Sequence, residues 1–108
     1  GNDGILSEID YTLGSHIEGL QLFGAAVFGY GNELDNIIYG NANNNTLWGA
    51  AGNDDIRGFA GNDVVFGMTG DDDLYGGVGN DTVDGDVGND IVRGELGNDL
   101  LVGGAGND

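Results

Sequence analysis

The chain has 108 residues, enough for about one domain, with 24 glycines, no proline and no cysteine. Nineteen acidic residues against two basic ones, Arg57 and Arg93, give a formal charge of −17. That balance argues against nucleic acid as a partner, the missing cysteine rules out disulfides and thiolate metal sites, and no apolar run approaches the ~18 residues of a membrane span. A chain this acidic and glycine-rich repels itself, and burial alone should not offset chain entropy plus charge repulsion. Yet 39% of it is hydrophobic, too much for a solvated tail. A cation that completes the fold reconciles the two facts.

One frame organises the sequence: glycine first and fourth, aspartate sixth, then three residues with an aliphatic in the middle, at a period of nine. In chain order, residues 1–6 (GNDGIL) are the tail of such a repeat, with Asp3 sixth and Ile5 eighth. Residues 7–30 lose the frame and form a β-rich spacer, with strand-like alternation at Ile9–Tyr11–Leu13, then Ile17, Leu20, Leu22 and Val27–Phe28. Residues 31–48 keep the phase without the charge: GNELDNIIY has Asn36 sixth and Ile38 eighth, and GNANNNTLW has Asn45 and Leu47. Residues 49–108 hold seven copies of the first six positions, GAAGND, GFAGND, GMTGDD, GGVGND, GDVGND, GELGND and GGAGND, the first six of them followed by the three further residues. Their sixth residues are Asp54, Asp63, Asp72, Asp81, Asp90, Asp99 and Asp108, and their eighth residues Ile56, Val65, Leu74, Val83, Val92 and Leu101. The glycine density and the absence of a helical period argue against helix.

Two nonapeptides can make one right-handed turn of loop, short strand, loop, short strand. Successive turns stack their strands in parallel about 4.8 Å apart, predicting an all-β right-handed parallel β-roll. Eighth-position side chains form a thin inward core, and positions seven and nine point outward. Glycines one and four suit tight loops where backbones approach closely and φ can be positive. Stacking brings motif i beneath motif i+2, so Asp54, Asp72, Asp90 and Asp108 form one column and Asp63, Asp81 and Asp99 the other. Columns of carboxylates one strand spacing apart repel unless a cation lies between them. Calcium suits the gap, with six to eight oxygen ligands and tolerance of irregular geometry; magnesium demands a tighter octahedron, and zinc lacks His or Cys here. Asn36 and Asn45 interrupt the carboxylates, so the 31–48 turn is expected to fold without metal and Asp35, in a fifth position, to be a bystander.

The nine-residue motif closely resembles the RTX (repeats-in-toxin) calcium-binding β-roll family over residues 40–108, and more loosely elsewhere. The resemblance implies that each ion takes an aspartate and the second- and fourth-position carbonyls of one loop. It also takes an aspartate and the first- and third-position carbonyls of the loop one turn on. Ala50, Gly52 and Asp54 would then face Gly67, Thr69 and Asp72; Phe59, Gly61 and Asp63 would face Gly76, Val78 and Asp81. Met68, Gly70 and Asp72 would face Gly85, Val87 and Asp90; Gly77, Gly79 and Asp81 would face Gly94, Leu96 and Asp99. Asp86, Gly88 and Asp90 would face Gly103, Ala105 and Asp108. Five such sites would bring the formal charge to about −7. The family implies a secreted or cell-surface bacterial protein, and the spacer resembles those of long repetitive surface proteins. That favours a structural or adhesive module over an enzyme; the alternative is the calcium-triggered C-terminal folding module of a secreted protease or lipase.

Other signals are weaker. His16 has no partnered nucleophile and reads as a surface or packing residue. Asp71–Asp72–Asp73 fails as an EF-hand loop because Tyr75 and Thr82 occupy ligand positions. Asn44-Asn45-Thr46 and Asn80-Asp81-Thr82 match the glycosylation pattern, common by chance. One outer face carries Thr46/Trp48, Val64/Phe66, Thr82/Asp84 and Leu100/Val102, apolar enough for contact. The other alternates Tyr39, Arg57, Tyr75 and Arg93, a cation–π ladder. The chain opens and closes on GND in one phase, giving a 105-residue unit on overlay; this suggests a segment of a tandem array or a filament, with end-to-end or lateral contact between copies.

Overall fold

The computed structural model describes residues 3–108; Gly1 and Asn2 of the opening GND lie outside the described residues. Among the described residues the chain forms twelve strands and no helix. They are β1 (Gly4–Ser7), β2 (Tyr11–Thr12), β3 (Gly19–Leu22), β4 (Phe28–Tyr30), β5 (Ile37–Tyr39) and β6 (Thr46–Ala51), followed by β7 (Asp55–Ala60), β8 (Val64–Thr69), β9 (Asp73–Val78), β10 (Thr82–Val87), β11 (Ile91–Leu96) and β12 (Leu100–Ala105). Odd strands make one six-stranded sheet and even strands the other, each in sequential order. Every pairing is parallel, and from β2 onward each strand pairs with the one 18 residues away. Two nine-residue motifs therefore make one turn of a β-roll.

The register lines up Ile38, Ile56, Leu74 and Val92 in one sheet and Leu47, Val65, Val83 and Leu101 in the other. Ile38, Leu47, Ile56, Val65, Leu74 and Val83 are completely buried. Val92 is only half-buried and Leu101 is 46% exposed, because a residue in the last described turns is covered from one side alone. Each turn buries about two aliphatic side chains, too few to hold it alone, so stability comes from neighbours.

The spacer joins the roll: β2, β3 and β4 continue the same two sheets. Its first turn is shorter, with Gly4 paired to Gly19 across 15 residues. The frame is unreadable there because the inward residues change places. Gly29 takes a core position in β4, and Leu20 and Leu47 close over it, each 3.2 Å from where its Cβ would be. Leu13 and Leu22 instead fill positions that register with the first glycine of later motifs, and both are buried. Asp10 anchors the stretch, its Oδ1 accepting the Val27 and Phe28 amides at 2.8 and 3.0 Å.

Both outer faces are ordered columns. Arg57 lies between Tyr39 and Tyr75, its guanidinium carbon 5.6 and 4.7 Å from the ring centroids, and Arg93 sits 4.7 Å from Tyr75. On the even sheet Tyr30 stacks on Trp48 at 4.4 Å and Trp48 on Phe66 at 5.6 Å.

Candidate metal centre

Five of the sixth-position aspartates do not line the surface. Asp54, Asp63, Asp72, Asp81 and Asp90 are 1–2% exposed, turned into the roll beside the aliphatic core. Their seats are prepared by backbone. The amide of Asp54 donates to Asp72 Oδ1 at 2.8 Å, and the same bond joins Asp63 to Asp81, Asp72 to Asp90, Asp81 to Asp99 and Asp90 to Asp108 at 2.7–3.1 Å. Asn36 and Asn45 donate in the same way to Asp54 and Asp63, each at 2.7 Å. Each carboxylate thus spends Oδ1 on the turn before it. Asp99 is half-buried and Asp108 exposed, in the last described turn.

The second oxygen has no such partner. Oδ2 of Asp54, Asp63, Asp72, Asp81 and Asp90 is buried and accepts no hydrogen bond. An unpaired carboxylate oxygen inside a protein is costly. Burial pushes the Asp54 carboxyl up to about 7, against the lowering effect of the Asn36 amide and with a further push from the Asp72 charge. Asp63 and Asp72 are raised to about 6, also chiefly by burial, and Asp81 and Asp90 are raised for the same reason.

Each orphaned oxygen occupies a hole left by a missing side chain. A methyl group on Gly49 would collide with Asp54 Oδ2 and lie 2.7 Å from the Gly67 carbonyl oxygen of the next turn. Gly58 bears the same relation to Asp63 and the Gly76 oxygen (2.6 Å), and Gly67 to Asp72 and the Gly85 oxygen (3.0 Å). Gly85 bears it to Asp90 and the Gly103 oxygen (2.6 Å). The first glycine therefore supplies room, at ordinary negative φ. At Gly76 the space is bounded by Asp81 itself, and at Gly94 by Asp99.

Positive φ falls on the fourth glycines Gly52, Gly61, Gly70, Gly79 and Gly88 and also on second positions, among them Ala50 (86°), Phe59 (79°), Met68 (82°), Gly77 and Asp86. Four of those second-position residues carry side chains that disfavour this region, a strain held by the surrounding stack. The third-position carbonyls of Val78, Val87, Leu96 and Ala105 each accept an amide from Gly61, Gly70, Gly79 or Gly88 at 2.9–3.1 Å. A carbonyl retains a second lone pair after that bond. Thr69 donates its hydroxyl to the Ala50 carbonyl at 3.3 Å.

Among the described residues no three His, Cys, Asp or Glu side chains converge. A metal held here would rely on carboxylate and carbonyl oxygens together, a donor set for a hard cation. Buried anionic oxygens without partners, beside carbonyls of the next turn, fit calcium.

The asparagine loops differ at the same place. Asn36 Oδ1 accepts the Asn32 amide at 2.8 Å, and Asn36 Nδ2 donates to Asn32 Oδ1 at 2.9 Å. Asn41 and Asn45 repeat the pair at 2.8 and 3.1 Å. Neither sixth-position amide leaves an orphan.

A second ladder at position five escaped the sequence reading. Asp35, Asn44, Asn53, Asn62, Asp71, Asn80 and Asn89 each accept, on Oδ1, the amide of the residue 18 later at 2.7–3.0 Å. It runs opposite in sense to the inner ladder. Its sequence trace was the asparagine or aspartate at every fifth position of the full motifs. Asp35 is therefore bonded to the stack.

A family model for the RTX calcium-binding nonapeptide repeat matches residues 30–58, 57–92 and 75–108. Comparison with curated proteins and with solved structures finds no match in either.

Proposed function

Because the chain belongs to the RTX calcium-binding nonapeptide repeat family, a general calcium-binding structural repeat, we propose that it is a structural or adhesive module of a secreted or cell-surface bacterial protein. Calcium completes its fold at five sites. The observation that carries this reading is the set of five buried, unpartnered Oδ2 atoms, one in each lower loop of the five loop pairs. Bound calcium would supply positive charge between turns. Asp54, Asp63, Asp72, Asp81 and Asp90 would hold it through Oδ2, with Asp99 and Asp108 closing the last pairs. The first-, second-, third- and fourth-position carbonyls of the facing loops would complete the set. Among the described residues no helix is long and apolar enough to cross a membrane.

Extracellular modules bind calcium at about 10⁻⁴–10⁻³ M, so the aspartate repeats of residues 49–108 stay unfolded at cytosolic calcium and fold outside the cell. The reading extends to assembly with further copies, end to end in a longer array or laterally through the even-sheet face of Trp48, Val64, Phe66, Leu100 and Val102. Leu100 and Val102 are exposed there, and the neighbouring aromatics Tyr30, Trp48 and Phe66 are stacked into one column. Far-UV circular dichroism tests the folding step: millimolar calcium should restore β signal lost in chelator, and magnesium should not. Equal β content in calcium and chelator would overturn it. Light scattering should rise with calcium if copies assemble; a monomer at high protein and calcium would remove the assembly.

A further inference from the structure

We propose that residues 13–48 are a metal-independent template that seats the first two ion loops and gives the roll a folding direction, from Asp54 and Asp63 outward. All five orphaned oxygens lie in residues 54–90. In the template the corresponding polar groups close on themselves through Asn32–Asn36 and Asn41–Asn45. Asn32 Nδ2 also donates to the Gly14 and Ile17 carbonyls at 2.8 and 2.7 Å, and Asn41 Nδ2 to Ala26 at 2.7 Å. These bonds tie the asparagine loops to the spacer turn behind them. Leu13, Leu20, Leu22, Ala26, Ile38 and Leu47 form its buried core. Neither Asn32 nor Asn41 adopts the positive φ found at the second positions of the later loops. Residues 1–48 carry six acidic side chains, residues 49–108 thirteen. What opposes folding without metal is concentrated in the second part.

The template grips the first ion loops from both sides. Asn36 and Asn45 donate amides to Asp54 and Asp63, while Asp35 and Asn44 accept the amides of Asn53 and Asn62 at 2.7 and 2.8 Å. Asp35 and Asn44 are positioning residues: they fix loop backbones and contribute no oxygen to the ion. Every later loop leans on a neighbour that itself needs an ion. In a solenoid governed by nearest-neighbour contacts, folding starts where stacking is already satisfied and spreads from there.

Hydrogen exchange read by mass spectrometry on the whole chain tests this, stepping calcium up from chelator. Amides of 13–48 should exchange more slowly than those of 67–108 without calcium. Protection should then reach 49–66 at the lowest calcium, with midpoints rising toward 91–108. Asp35→Ala or Asn44→Ala should raise the 49–66 midpoint about fivefold, the equivalent of one hydrogen bond, without changing the number of ions bound. Asp35→Asn should restore it. Asn89→Ala removes the same bond at the far end and should leave the 49–66 midpoint in place. The proposal rests on the calcium reading: no protection anywhere on adding calcium would overturn both. A common midpoint for all segments, far-end segments protected first, or Asn89→Ala acting like Asp35→Ala would overturn this one alone.

Discussion

A carboxylate offers two oxygens, and in each loop with a buried aspartate the protein fold satisfies only one. Oδ1 is fixed by an amide of the turn before, while Oδ2 faces a hole kept open by the absent side chain of the motif's first glycine. Gly58→Ala would place a methyl against Asp63 Oδ2 and 2.6 Å from the Gly76 oxygen. Overpacking of this kind costs about 1–3 kcal/mol, so its calcium midpoint should rise at least fivefold. Gly14→Ala, with nothing within 4 Å of the new methyl, should leave the midpoint unchanged. Titration of both variants followed by circular dichroism reads the difference. The same carboxylates predict a pH effect without metal. Their folded-state values are raised, to about 7 for Asp54 and about 6 for Asp63 and Asp72, from an ordinary value of 3.8. Folding therefore takes up protons, and the stability this gives is complete below 3.8 and lost as pH rises through 6 to 7. In chelator the β signal should be stronger at pH 5 than at pH 7.5; a signal that falls on acidification would contradict the burial of these groups.

At the scale of the strand, one inward aliphatic and two outward side chains repeat in every nine-residue motif, and the columns they build differ by sheet. Arg57 joins two tyrosine faces and also pairs with Asp55 through Nε and Nη2, each at 3.0 Å. Exposed cation–π contacts contribute about 0.5–1 kcal/mol each, so Arg57→Ala should lower the urea midpoint in calcium modestly, with the ion count unchanged. Loss of bound calcium in that variant would show that the ladder shapes the sites. The alternation of Tyr39, Arg57, Tyr75 and Arg93 was legible because a strict period of 18 turns sequence spacing into vertical neighbours. The aromatic column was only half legible. Trp48 and Phe66 share a motif position, but Tyr30 joins them from a stretch where the frame is broken. The spacer's continuity was hidden for the same reason: Gly29 stands at a core position, while Leu13 and Leu22 fill places that glycine holds elsewhere. A period search sees only the interruption. Positive φ at Phe59 and Met68 was likewise unreadable, since nothing in their chemistry favours it and the stack imposes it.

The whole molecule is thin, 29 × 26 × 16 Å, and its interior is shared between aliphatic side chains and aspartates. Hydrophobic burial supplies part of the stability, and the carboxylate columns oppose it until neutralised. Architecture and calcium chemistry were therefore visible in the same residues: the nine-residue period sets the stack, and the sixth-position charge sets what the stack lacks. The central claim is that the five orphaned oxygens are ion ligands, and counting calcium bound to the folded chain tests it most directly. Equilibrium dialysis at millimolar free calcium should give five ions per chain and three for Asp81→Ala, because Asp81 serves the pair below with Asp63 and the pair above with Asp99. A folded chain that binds none, or a count left unchanged by Asp81→Ala, would contradict the account.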